Sequence, residues 1–195
     1  TVKGQNVLMD AVGEVVQKAG DIIVGNTNAG TATLKAGTNV KVSGGNIKAV
    51  NGNVSLQANA DVHIIGGSIN ATGGVVDIVA QNDVTQTKGS MLAEGGQINI
   101  KANNSILLTN GRMKAKEAKL VAVNGYISEN YDNTKTSFNG YALDITDELI
   151  VAAGNKANNA SAIDLGSRFN ELSTVVLAAT KGDILIGSGR STEGD

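Results

Sequence analysis

Apolar and polar residues alternate along most of the chain, and the alternation keeps a fixed phase relative to four glycines, Gly30, Gly52, Gly74 and Gly96, spaced 22 residues apart. Two positions after each glycine stand Ala32, Val54, Val76 and Ile98; four after, Leu34, Leu56, Ile78 and Ile100; six after, Ala36, Ala58, Ala80 and Ala102. A second block brings Val40, Val62, Val84 and Ile106, then Val42, Ile64, Gln86 and Leu108, in which Gln86 alone departs from the apolar pattern. A third opens at Gly45, Gly67, Gly89 and Gly111, continues with Ile47, Ile69, Met91 and Met113, and closes with Ala49, Ala71, Ala93 and Ala115.

Period-two alternation sends one set of side chains inward and the other outward. The intervening residues agree with an outer, wet surface: Thr31, Thr33, Lys35, Lys41, Asn46, Asn53, Ser55, Gln57, His63, Ser68, Thr85 and Ser90 are polar, with Val75, Val79, Ile65 and Leu107 as exceptions. Each period therefore reads as a rung of three short strands. Such rungs leave no room for crossover helices, so successive rungs lie parallel at the interstrand spacing of ~4.8 Å. The expectation is an all-β fold, a parallel β-helix or β-solenoid with three short strands per rung of about 22 residues, forming one domain over residues 1–195 with regular rungs at 30–117. An antiparallel sandwich would turn every ~8–12 residues and has no reason to keep the longer phase. A lone rung buries too little to order itself, so stability comes from stacking on neighbours.

Before Gly30, residues Val7, Met9, Val15, Ile22 and Val24 predict one or two shorter or irregular rungs. After Lys116 the pattern runs through Leu120, Ala122, Tyr126 and Ile127, breaks, and resumes with Leu143, Ile145, Leu149 and Val151, then Val175, Leu177, Ile184 and Ile186. The break, residues 128–140, has no strand period and reads as a loop protruding from the helix. With its flanks it holds Tyr126, Tyr131, Phe138 and Tyr141, four of the five aromatic residues. Aromatics in that setting either bind a sugar or protein partner or pin the loop to the solenoid. The polar stretches 154–160 and 168–171 read as rung-to-rung turns.

Composition narrows the picture. With 41% apolar residues the chain can bury a core, and with so few aromatics and no Trp that core must be filled by Val, Ile, Leu and Ala, which suits a thin, regular interior. The 25 glycines mark corners, and the absence of Pro keeps every backbone N–H available for strands paired on both sides. A net charge of −2 with both signs interspersed gives no field to attract nucleic acid. The lack of Cys excludes disulfides and thiolate metal sites, and fits an exported bacterial chain. No apolar run reaches the ~18 residues of a membrane span. Residues 1–9 lack the regions of a signal peptide, so the chain reads as a processed or excised segment.

Candidate chemistry is sparse. Stacking places Asn59, Gln81 and Asn103 in one corner column and Asn39, Asp61 and Asp83 in a neighbouring one, where amide ladders add stability. Asp61 above Asp83 supplies two of the several oxygens that Ca²⁺ needs, but Asn and Asp are also ordinary turn residues. His63, the sole histidine, sits at an outward position between Val62 and Ile64 and reads as solvated. No metal site, cofactor or catalytic residue is expected. Carbohydrate cleavage needs paired carboxylates, or a Ca²⁺ cluster with a basic residue, on one face; Asp77 is nearly alone on its own, and the arginines are Arg112, Arg168 and Arg190. Calcium-binding toxin repeats recur every nine residues. Ice binding wants a flat Thr ladder, whereas Thr31/Thr33 and Thr85/Thr87 fall on different faces. Asn53, Asn70, Asn103 and Asn159 lie in Asn-x-Ser/Thr triplets, which an Asn-rich chain produces by chance.

The rungs 52–73 and 74–95, with the Gly-Asp-Ile units at Gly20 and Gly182, resemble the haemagglutinin-type repeats of filamentous haemagglutinin-like exoproteins, over residues 20–127 most clearly. The resemblance implies a right-handed helix and export by two-partner secretion or as an autotransporter passenger, hence an outer-membrane transporter as partner. It further implies a secreted or cell-surface location and work as an adhesin, haem-acquisition protein or toxin-delivery stalk. The family's secretion domain carries Asn-Pro motifs, which a chain without Pro does not contain. The functional expectation is a structural and adhesive shaft, not an enzyme, that binds a host or bacterial surface protein or glycan. A filament or coat subunit with end-to-end self-association is the alternative, and a polysaccharide lyase or hydrolase a further one.

Overall fold

The structure, a computed structural model, describes residues 1–25, 28–129, 142–155, 162–166 and 172–186. It is all-β, with parallel strands stacked in about seven coils about 22 residues apart, a β-solenoid. The first face of the regular rungs is built from Thr31–Ala36, Asn53–Ala58 and Val75–Ala80. The second is built from Val40–Val42, Val62–Ile65 and Val84–Thr87, and the third from Asn46–Val50 and Ser68–Thr72. Every pairing is parallel, and equivalent positions stack: Ala32 on Val54, Val76 on Val54 and on Ile98.

The inward set is the predicted one. Val54, Val76, Ile98, Leu34, Leu56, Ile78, Val62, Ile64, Ile69 and Met91 have no accessible surface, and they belong to one continuous hydrophobic column. Branched aliphatic side chains in parallel register fill a narrow interior without aromatics, because each meets a near copy of itself above and below. The outward exceptions are tolerated singly: Val75, Val79 and Leu107 are half-buried among neighbours, and Ile65 is exposed.

Gln86 departs from the apolar pattern and nevertheless points inward, fully buried, with its Nε2 directed at the Gly89 carbonyl 3.4 Å away. It belongs to a column that runs Gln17, Val42, Ile64, Gln86, Leu108, Glu129. Gln17 repeats the arrangement, donating to the Gly20 carbonyl at 2.8 Å. In both cases the amide faces a corner carbonyl three residues on, which keeps a polar side chain tolerable in an apolar column.

Rung geometry departs locally from the regular pattern. Of the shorter or irregular rungs expected before Gly30, the first is irregular, being longer than the regular ones: Asn6 and Asp10 bond Thr31 and Lys35 across separations of 25 residues. Three strands per rung fit the two sheets, and in the later rungs the third and first faces run on without a break between strands. They merge in the continuous strands Ser90–Ala102, Arg112–Ala122 and Ala142–Ala153, so that among the described residues twelve strands form one sheet and the eight strands of the second face form another. At Ala93/Gln97 a register shift drops the rung spacing from 22 to 20 residues, as the Gln97–Glu117 hydrogen bond records. The regular phase therefore ends at Ala115, just inside the predicted limit at 117. Finally, Ser128 and Glu129, placed in the protruding loop by the sequence pattern, belong to the strand Ile127–Glu129. They pair with the second face because Glu129, although acidic, turns inward and is 2% exposed.

Candidate functional site

The corner before the second face shows what the Asn and Asp columns do. Asn39 Oδ1 accepts the Asp61 N–H at 3.1 Å, Asp61 Oδ1 accepts the Asp83 N–H at 3.0 Å, and Asp83 Oδ1 accepts the Ser105 N–H at 2.8 Å. Ser105 Oγ then accepts the Tyr126 N–H at 3.3 Å. Each side chain thus caps the backbone of the next rung, where the strand ladder is interrupted and an N–H would otherwise lack a partner. A second column does the same before the first face, with Asn6 Oδ1 on the Thr31 N–H and Asn53 Oδ1 on the Val75 N–H, both at 2.9 Å. The neighbouring amide column appears in the Asn124–Asn103 bond of 3.1 Å.

This geometry redefines the suspected calcium site. One oxygen of Asp61 and one of Asp83 already accept backbone N–H groups. Among the described residues no three His, Asp or Glu side chains gather as a metal site would require. Beside the corner, His63 is half-buried on the outer surface; its Nδ1 lies 2.8 Å from Thr85 Oγ1 and its Nε2 4.0 Å from Asp61 Oδ2. Lys41, stacked on His63, pairs with Glu14 at 2.6 Å, and this hydrogen-bonded ammonium holds the Glu14 carboxyl below its ordinary range. Both groups are well exposed, so the pair adds little stability.

Asp77 stands on the first face between Ser55 and Asn99, flanked by Val75 and Val79. Partial burial pushes its carboxyl above the usual carboxylate range. A carboxyl whose pKa rises on folding favours the native state while protonated, and that stabilisation is lost as pH rises from the ordinary value through the native one. We expect Asp77→Asn to raise the urea midpoint at pH 7 and to leave it nearly unchanged at pH 3, measured by equilibrium unfolding at both values. A midpoint lowered at pH 7 would show that Asp77 has a stabilising partner.

Of the four aromatic candidates, Tyr126 is half-buried and held by its backbone bond to Ser105, directly before the strand Ile127–Glu129. Tyr131, Phe138 and Tyr141 lie outside the described residues, as do Asn159 and most of the stretches 154–160 and 168–171. Around the start of the strand that follows, charged side chains pair closely. Arg112 meets Asp144 at 2.6 Å, Lys114 meets Glu94 at 2.9 Å, and Lys116 lies 3.4 Å from Asp147 and 3.7 Å from Glu117. No protein-family description, curated protein or solved structure matches this chain.

What the chain offers chemically is therefore read from its own geometry. Among the described residues the outer surface carries polar columns bonded rung to rung, such as Asp21–Asn46 at 2.8 Å and Ser68–Ser90 at 3.1 Å. No described helix is long and apolar enough to cross a membrane. Sequence reasoning missed the inward Gln17 and Glu129. The latter's carboxylate accepts the Gly166 N–H at 2.8 Å and thereby ties two rungs on either side of residues 130–141. The signal was present in the alternation itself: Ile127 and Glu129 are two apart, as inward neighbours must be.

Proposed function

We propose that this chain is a structural and adhesive shaft segment of a bacterial exoprotein built, like the haemagglutinin-type repeats it resembles, from stacked rungs, and that it acts without catalysis. In this reading it is exported through an outer-membrane transporter and works outside the cell or at its surface, where it meets a host or neighbouring-cell protein or glycan. The observation that carries the reading is the use of polar corner side chains to bond one rung to the next, from Asn39 through Asp61 and Asp83 to Ser105. Side chains so engaged stiffen a rod and leave few groups free for chemistry.

The partner surface in this proposal is the interruption at 130–140 with its flanks, holding Tyr126, Tyr131, Phe138 and Tyr141, where most of the aromatic residues concentrate. Aromatic anchors dominate binding energy at such surfaces. Replacing Tyr131 and Phe138 together by Ala is expected to weaken binding to cells, glycan arrays or matrix proteins by about tenfold or more, while the urea midpoint stays the same. Unchanged binding would remove the assignment, and cleavage of uronic-acid polymers by the purified chain would overturn the non-catalytic reading.

A further inference from the structure

Three Asn-x-Ser/Thr triplets lie wholly within the described residues, at Asn53, Asn70 and Asn103, and the fold treats them differently. Asn53 is a corner cap: its Oδ1 accepts the Val75 N–H at 2.9 Å, and the Ser55 hydroxyl two residues on accepts the Gln57 amide at 3.2 Å. Asn103 Oδ1 accepts the Asn124 amide at 3.1 Å, and Ser105 of the same triplet is buried with its Oγ on the Tyr126 N–H. Both triplets are thus committed to bonding one rung to the next. Asn70 is not. It faces outward from the interior strand Ser68–Thr72, half-buried, beside the fully buried inward Ala71. Thr72 is exposed, and its hydroxyl donates to Asn70 Oδ1 at 3.0 Å, a bond internal to the triplet.

We infer that Asn70 is a glycosylation site, taking a sugar on its Nδ2 from a donor in which the anomeric carbon is bound to a diphosphate. This rests on the exoprotein reading, since such sugars are carried by chains bound for the outside of a cell. In the transfer a bond forms between Nδ2 and the anomeric carbon, the bond from that carbon to the phosphate oxygen breaks, the diphosphate leaves, and Nδ2 gives up one proton. Thr72 is a positioning residue: its hydroxyl on Oδ1 fixes which side of the amide carries the nitrogen. The surroundings leave room for a bulky group. The strand is bracketed by Gly66-Gly67 and Gly73-Gly74, and the missing Cβ atoms of Gly66 and Gly73 have open space around them, so neither of these positions raises a side chain beside Asn70. In the stack Asn70 lies between Lys48 and Leu92. Leu92 is an outward, half-buried aliphatic residue followed by Lys114, and the C–H face of a sugar on Asn70 has it as an apolar neighbour.

Glycopeptide mass spectrometry of the protein recovered from the cells that produce it is expected to find a sugar on the peptide containing Asn70 and none on those containing Asn53 and Asn103. Asn70→Gln and Thr72→Ala should each abolish that modification, and Thr72→Ser should keep it. Urea midpoints of the three variants should match one another, so that a lost sugar is not a lost fold. Protein held inside the cell tells two donors apart: modification there identifies a nucleoside diphosphate sugar, modification only after export a lipid-linked one, and either agrees with the assignment. An unmodified Asn70 overturns it. So does a Thr72→Ala chain that keeps the sugar, or equal modification at Asn53 or Asn103, which would mean that the fold does not select among the triplets. A chain glycosylated at Asn70 that binds no cell, glycan or matrix protein would contradict the adhesive reading and leave this one standing.

Discussion

Gly74→Ala is expected to destabilise the solenoid by at least about 3 kcal/mol, although alanine is elsewhere the mildest of substitutions. A Cβ on Gly74 would overlap the carbonyl oxygen of Gly52 in the rung below, and Gly96 stands in the same relation to Gly74. Neither Gly52 nor Gly74 has a left-handed backbone, so the effect isolates close approach between rungs from conformational preference. The overlapping atom is backbone on both sides, and neither rung can retreat without breaking the ladders on three faces. Two comparisons separate the causes. Gly95, at φ +74°, has open space around its missing Cβ, and Gly95→Ala should cost about 1–2 kcal/mol from backbone strain alone. Gly13 has neither restriction, and Gly13→Ala should be neutral or slightly stabilising. Urea unfolding of the three variants checks the order. A Gly74→Ala midpoint close to that of Gly13→Ala would show that the rungs do not approach as closely as described.

Leu56→Ala should cost about 2–5 kcal/mol, whereas Gln57→Ala, one residue away, should change stability by no more than about 0.5 kcal/mol. Leu56 has no accessible surface and lies between Leu34 and Ile78, while Gln57 is exposed and its side-chain amide donates to the Ser55 hydroxyl. The cavity left by Leu56 has little means of collapsing, because the hydrogen-bonded spacing of the rungs fixes the distance between the layers above and below. The cost should therefore fall in the upper part of that range. Since each rung is stabilised by its neighbours, the loss should also appear as amide exchange spreading to the adjacent rungs. Equal effects at the two positions would mean that the alternation does not separate inside from outside.

The architecture was legible because stacking gives every equivalent position the same surroundings. Ala32, Val54, Val76 and Ile98 occupy one environment repeated, so the chain shows the same residue class at a constant interval, and all four are buried as the interval required. Legibility failed where a single residue had an individual solution. Gln86 and Glu129 break the apolar class yet keep the inward phase of the alternation; what no periodicity encodes is the corner carbonyl or N–H that receives each of them inside. The merging of the third and first faces was hidden for a related reason. The Gly95-Gly96 corner, its Lys116 counterpart and Thr146-Asp147 all lie within continuous strands, although their sequences differ. The corner columns were visible as Asn39, Asp61 and Asp83, but their task was not: a carboxylate accepting one backbone N–H from the next rung and a carboxylate awaiting a cation look alike in sequence.

The function is less legible than the fold for a physical reason. A solenoid's outward residues are constrained to be polar and able to bond their neighbours, and Ser68, Ser90, Asn46 and Asp21 satisfy that requirement whatever the molecule binds. Chemistry specific to a ligand has to depart from the repeat, and the largest departure, residues 130–141, lies outside the described residues.

The claim on which everything rests is that residues 22 apart lie directly over one another in parallel strands. The chain has no Cys, so Ser68→Cys/Ser90→Cys places the only two thiols where the hydroxyls are 3.1 Å apart. Adjacent parallel strands put Cα atoms within the range that a disulfide spans. Mild oxidation followed by intact-mass analysis should show rapid and nearly complete intramolecular disulfide formation, while a Ser55→Cys/Ser90→Cys control, with its thiols on different faces, stays reduced. Absence of the 68–90 bond, or equal bonding in the control, would contradict the stacked register.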